Sequence, residues 1–214
     1  MMTLPRREEL EEALCARHSP DVHNAIAKAR IGIAGLGGLG SNIAAMLARA
    51  GISQMVIADF DVVDITNINR QNYFADQIGK RKVDAAEEVL KKINPYLVIE
   101  KHHEKLYPSN IPDIFGECRI VCEAFDAPSQ KAMLINTLLE KCPGMKVISG
   151  SGMAGFGRSN CIRTEKLFAD LYMCGDGVDM EGVKGGLMSP RVNICAGHMA
   201  NTVIALLMNG DPEQ

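Results

Sequence analysis

The sequence has no apolar run long enough to cross a bilayer, which excludes a membrane-spanning helix. It has no C-x-x-C pair, which argues against a zinc site built from four cysteines. Its seven cysteines, Cys15, Cys118, Cys122, Cys142, Cys161, Cys174 and Cys195, are odd in number and scattered. That is not a disulfide framework, and a reducing cytoplasm is the expected setting. The opening stretch MMTLPRREELEEALCARH is too charged for a secretory leader. A basic surplus is missing as well. The formal net charge is -3, and the one basic cluster, Lys80-Arg81-Lys82, is too short for a nucleic-acid footprint. Neither a membrane nor a nucleic acid is the expected partner.

What remains is an ordinary soluble composition, 47% hydrophobic and 23% charged over 214 residues. It suits one domain with a sizeable core. Residues 1–29 read as an N-terminal helical segment, with helices over 5–17 and 22–29 joined at HSPD. Residues 30–214 read as a single domain. Strands are expected at RIGIA, QMVIADF, LVIEKHH, RIVCEAF and MKVISGSG. Helices alternate with them over Gly38–Ala50, KRKVDAAEEVLKKI, a short piece near Asn110–Phe115, and SQKAMLINTLLEKC behind Pro128. Cys118 and Cys122 are expected to share one face of a strand. RSNCIRT and FADLYMC read as two shorter strands at one edge, and Pro190 opens a last helix through Leu207. The alternation predicts an α/β fold: a doubly wound, Rossmann-like, mostly parallel sheet with antiparallel strands at a C-terminal edge.

The first strand runs into GLGGLG. Gly35, Gly37 and Gly40 fit G-x-G-x-x-G, with Gly38 as an extra glycine. Such a turn permits a tight bend, close backbone approach to phosphate and close helix–strand packing, and the helix N-terminus adds partial positive charge. Asp59 ends the second strand nineteen residues after Gly40, where a carboxylate meets ribose hydroxyls. These features do not separate NAD from ATP.

The following loop, DFDVVDITNINRQNY, is rich in Asp59, Asp61, Asp64, Asn67, Asn69, Arg70, Gln71 and Asn72. A triphosphate needs cations. Arg70 has the fork to grip phosphate and Lys82 supplies a point charge.

GLGGLGSNIA, DFDVVDITNINRQ, the nearby Lys82, EAFD and the late GLMSPRVNICAGHMAN together resemble the E1-like activating enzymes. Within them the pattern is most similar to the short adenylyltransferases of thiamine biosynthesis. The resemblance runs from about Arg17 onward. It implies that Gly35, Gly37, Gly38 and Gly40 shape an ATP phosphate loop and that Asp59, with Asp61 beside it, serves the ribose end. Asn67, Arg70 and Lys82 reach the phosphates, with Gln71 in the family's R-Q pair. Asp126 takes the place of the family's magnesium-associated Asp in D-x-T-D-N. The chain departs there: EAFDA puts Glu123 at the first Asp and Ala127 at the Asn. Arg17 matches an arginine that such dimers insert into the partner's site. Arg70, Lys82, Asp126 and Arg17 are thus the expected catalytic set, with Asp126 on Mg2+.

The implied reaction is adenylylation by ATP of the C-terminal glycine carboxylate of a small ubiquitin-like sulfur carrier protein ending in Gly-Gly. The implied assembly is a homodimer. Such a carboxylate is already ionised near neutral pH, so no general base is required. This agrees with a sequence whose histidines, His102, His103 and His198 among them, make no evident catalytic pattern. Cys174 and Cys161 are the cysteines to consider for a covalent step. Residues 175–188 are the expected cover for a bound tail. Three alternatives stay open: activation of another carboxylate or of a modified tRNA base, an NAD-dependent oxidoreductase, and a non-catalytic binding subunit.

Overall fold

The computed structural model describes residues 4–178 and 185–210. The elements follow in the order α1 (Arg7–His18), α2 (Pro20–Ala27), β1 (Arg30–Ala34), α3 (Gly38–Ala50), β2 (Gln54–Ala58), α4 (Lys82–Ile93) and β3 (Val98–His102). They continue with α5 (Ile111–Phe115), β4 (Ile120–Glu123), α6 (Pro128–Lys141), β5 (Lys146–Ser151), β6 (Arg163–Phe168), β7 (Leu171–Gly175) and α7 (Ser189–Leu207). Among the described residues no helix is long and apolar enough to cross a membrane.

The seven strands form one sheet in the order β3-β2-β1-β4-β5-β7-β6. All neighbours are parallel except β6 and β7. The expected doubly wound sheet is therefore present, and its antiparallel element is the edge strand β6. Several helix limits follow from local chemistry. α4 ends before Asn94-Pro95, α6 and α7 carry proline in their first turn, and α3 ends at Gly51 with φ 101°.

The sheet divides the core in two. On one face α2, α3, α4 and α7 bury Ile26, Ile43, Leu47, Leu90, Met199 and Val203 against β1 and β2. On the other, α5 and α6 bury Phe115, Leu134 and Leu138 against Val121 and Val147. α3 is buried on two sides because α7 packs along it.

Three expectations change. Cys118 and Cys122 do not share a face: Cys122 lies in the first core and Cys118 in the second. β4 begins only at Ile120, so strand alternation does not extend back to Cys118, which sits in a turn donating its N–H to the Phe115 carbonyl. FADLYMC is not one strand. Ala169 and Asp170 make the turn between β6 and β7, and Lys146 pairs with Asp170 there. RSNCIRT is mostly a short 3-10 turn over Ser159–Cys161, and only its last two residues enter β6. β3 is an edge strand, and its Val98 is exposed.

Candidate active site

The chain turns from β1 to α3 on one face of the sheet and from β4 to α6 on the other. β1 and β4 are neighbours, so a crevice opens at their C-terminal ends, the usual ligand position in such sheets. The glycine turn forms one wall and the loop carrying Asp126 the other.

The turn is built by close approaches. Gly35 has φ 90°, a conformation that L side chains rarely adopt. A Cβ at Gly40 would land on the Gly35 carbonyl oxygen. A Cβ at Gly37 would meet nothing nearer than Gln71 Nε2 at 3.9 Å. The backbone at Gly37 is therefore open to a ligand, at the start of a helix whose first N–H groups have no intrahelical partners. Gly38 has a different reason. A Cβ there would press on Val192 Cγ1 at 3.2 Å and lie over the Arg70 stem at 3.5 Å. It lets α7 and Arg70 approach α3, which gives Gly38 a packing role besides the phosphate-loop role expected of it.

The second loop is stitched onto this turn by residues that the motif did not single out. Asn42 Nδ2 donates to the carbonyls of Gly38 at 2.6 Å and Arg70 at 2.9 Å. Ser41 Oγ donates to the Gly37 carbonyl at 2.7 Å and accepts the Asn72 N–H at 3.0 Å. The Tyr73 hydroxyl donates to the Leu36 carbonyl at 2.8 Å, and burial pushes its pKa well up. Ser41, Asn42 and Tyr73 thereby set where Arg70 and Gln71 stand. Gln71 is buried beside Gly37, and its Oε1 has no hydrogen-bond partner among the described residues. A buried acceptor left this way is costly unless something donates to it.

Asp59 is nearly buried, accepting the N–H of Leu36 at 2.6 Å and of Asp61 at 2.8 Å. Burial raises its pKa; nearby Lys82 and the two N–H donors oppose the rise. Lys82 opens α4 and is 6% exposed. Its ammonium lies 2.9 Å from Asp61 and 4.0 Å from Asp59. Arg70 donates to the Thr66 carbonyl at 3.2 Å and to Asn69 Oδ1 at 2.8 Å, with its stem over Gly38. Asn67 Oδ1 accepts the Asp64 N–H at 3.0 Å, so half of that amide serves its own turn.

Across the crevice, Phe125 and the Ala124 carbonyl crowd Gly35, and the exposed Asp126 follows. Asp126 makes no hydrogen bond or ion pair among the described residues. Glu123 cannot stand in for it. This carboxylate is fully buried and takes bonds from Phe125 N–H at 2.6 Å, Ser149 Oγ at 2.5 Å and Lys131 Nζ at 2.8 Å.

Arg17 is not brought to this site. It is exposed on α1. The neighbouring Leu14 packs at Gly51, the far end of α3 from the glycine turn. His198 binds Thr164 Oγ1 at 3.1 Å, and His102 pairs with Glu100 at 2.8 Å. Cys174 is fully buried among Thr164 and Thr202, and burial raises its pKa, which removes it as a resting nucleophile. Cys161 is partly exposed. Of the expected tail cover over 175–188, residues 179–184 lie outside the described residues. Its flank is pinned by a buried ion pair that the sequence did not reveal. Arg191 meets Asp176 at 2.5 Å and donates to the carbonyls of Met153, Gly157 and Arg158.

A family model described as the ThiF family matches residues 11–214. The molybdopterin-synthase adenylyltransferase of Salmonella typhimurium is 30% identical over 196 residues, covering 88% of this chain and 77% of that protein. The adenylyltransferase and sulfurtransferase UBA4 of Candida glabrata is 28% identical over 188 residues, covering 85% of this chain but 43% of that protein. The chain thus spans less than half the length of that relative. Among solved structures, E. coli tRNA N6-threonylcarbamoyladenosine dehydratase TcdA in complex with ATP superposes with a TM-score of 0.84 at 19% identity, covering 97% of this chain and 98% of that one. E. coli MccB with ATP gives a TM-score of 0.67 at 22% identity, covering 88% and 58%. At these identities the two structures speak for the fold.

Proposed function

The chain belongs to the ThiF family, and from that premise we propose that it is an ATP-dependent adenylyltransferase. Its substrate in this reading is the C-terminal glycine carboxylate of a small ubiquitin-like sulfur carrier protein. One carboxylate oxygen bonds to the α-phosphorus of ATP, the α–β phosphoanhydride bond breaks, and pyrophosphate leaves. The product is an acyl-adenylate. The attacking group is already an anion, so the site needs positioning and charge stabilisation more than proton transfer.

One juxtaposition carries the reading. An open backbone turn at Gly37, a buried lysine and an uncommitted carboxylate flank a single crevice. Gly37 and the start of α3 accept phosphate, and Asp59 faces the ribose end. Lys82, shared between Asp61 and Asp59, is positioned to exchange a carboxylate for a phosphate oxygen. Arg70 turns its guanidinium from the Thr66 carbonyl toward the same charge.

Asp126 fits a magnesium ion. It is exposed and uncommitted, and no group of three or more metal-binding side chains gathers among the described residues. Phosphate and water oxygens would complete the shell, as magnesium commonly requires. A magnesium ion held there would offset charge on the pyrophosphate.

The homodimer is part of this proposal. Arg17 is remote from its own glycine turn and exposed, as a residue serving a partner's site would be. A thiamine-pathway carrier is supported by the resemblance of the motifs. One relative named above is a molybdopterin-synthase adenylyltransferase, so carriers of several kinds belong in the assay. The test is ATP–pyrophosphate exchange with each carrier. Exchange that requires a Gly-Gly terminus supports the proposal. Tight NAD binding without exchange on any carrier overturns it.

A further inference from the structure

We infer that Glu123 is a positioning residue for Asp126, acting through its bond from the Phe125 N–H and its part-buried ion pair with Lys131; this rests on the adenylylation reading above. Glu123 is the last residue of β4 and has no exposed surface. Three separate elements converge on its carboxylate. The β4–α6 loop donates the Phe125 N–H at 2.6 Å, β5 donates Ser149 Oγ at 2.5 Å, and α6 donates Lys131 Nζ at 2.8 and 3.1 Å. Asp126 is the next residue after Phe125 and makes no bond of its own among the described residues. Its register above the glycine turn is therefore held by the backbone one residue before it, and that backbone is held by Glu123.

An ion pair with one partner buried, like this one, contributes little to stability over apolar residues of the same shape. What this one supplies is a fixed loop. An acid that must meet a metal and a triphosphate within a few tenths of an ångström needs such a supporting contact. The chain carries Glu where the resemblance implies Asp, and here the longer acid spans the loop, the neighbouring strand and the following helix at once. Ala127 leaves no side-chain amide after Asp126 to do the same work.

The test compares wild type with Glu123→Gln, Lys131→Met and the double variant Glu123→Asp/Lys131→Arg. ATP affinity is measured by calorimetry with and without Mg2+, and pyrophosphate exchange gives kcat and KM. Glu123→Gln is expected to bind metal-free ATP within about threefold of wild type, to lose the tightening by Mg2+, and to lose roughly 10–100-fold in kcat with little change in KM. Glu123→Asp is measured alone as well, and the double variant, which restores a matched pair, is expected to recover most of the kcat that Glu123→Asp loses. Wild-type metal dependence and kcat in Glu123→Gln overturn the inference. So does an equal loss of ATP affinity with and without Mg2+, which marks a structural role only. If Glu123→Gln does not fold, Lys131→Met carries the same comparison with the same two outcomes. A wild-type chain that exchanges on no carrier sinks the adenylylation reading and leaves the calorimetric comparison standing. A wild-type chain whose ATP affinity ignores Mg2+ overturns the role given to Glu123.

Discussion

The Asp59 carboxylate accepts the backbone N–H of Leu36 at 2.6 Å. The acid that follows β2 thus helps to hold the turn between β1 and α3, besides the ribose role proposed for it. Burial raises its pKa, with Lys82 and the two N–H donors opposing. A carboxylate whose native pKa is raised contributes stability that is full below its unfolded pKa and is lost as pH rises through the native one. The unfolding free energy of wild type minus that of Asp59→Asn should therefore fall as pH rises from about 4 upward. Urea titrations across that window check it, and a flat difference refutes the assignment.

Gly40 and Gly37 should separate fold from ligand. In Gly40→Ala the new Cβ meets the Gly35 carbonyl oxygen, a backbone atom that no rotamer can move. A loss of at least about 2 kcal/mol is expected. Gly37→Ala has open space and should stay within about 1 kcal/mol of wild type. Its methyl would occupy the place of a phosphate, so ATP affinity should fall by about tenfold or more, about 1.4 kcal/mol. Denaturation and ATP titration of both variants distinguish the two effects. Equal ATP affinity in Gly37→Ala would remove the phosphate from this turn.

Asp126→Ala touches an exposed side chain without partners among the described residues, so its stability should match wild type within about 0.5 kcal/mol. Pyrophosphate exchange should drop by roughly 100-fold or more. ATP binding should weaken much less than exchange. Exchange near the wild-type rate would show that another group serves the metal.

The thiols should react in two classes. Cys118, Cys122, Cys174 and Cys195 are buried, and burial raises the pKa of each, Cys118 and Cys195 to about 12. Cys15, Cys142 and Cys161 are partly exposed. Alkylation of the native protein followed by peptide mass spectrometry should label the exposed three first. Cys174→Ala should retain exchange. Rapid native labelling of Cys174, or loss of exchange on its removal, would reinstate it as a nucleophile.

Much of the site could be read locally. Gly35 needs a positive φ and Gly40 a missing Cβ, and both demands arise within a few residues of chain. Asp59 follows from the end of a short apolar strand. The helix limits at Asn94-Pro95, Pro128 and Pro190 follow from proline chemistry. Such features are legible because the backbone constraint and the residue that satisfies it are near neighbours.

The supporting contacts could not be read this way. Tyr73 reaches Leu36 across 37 residues, Ser149 reaches Glu123 across 26, and Arg191 reaches Asp176 across a segment rich in glycine. Gly38 is set by Val192 of α7, which arrives over α3 only once the sheet is ordered. Cys118 and Cys122 part company because β4 begins two residues later than their spacing assumed.

The sequence by itself determined the alternation of strands and helices, the glycine turn and the acids and cations near it, because period and backbone geometry are local properties. The tertiary structure alone decided which of those groups are committed and which are open. Strand order and helix packing, not spacing along the chain, bring Lys131 to Glu123 and leave Asp126 without a partner among the described residues.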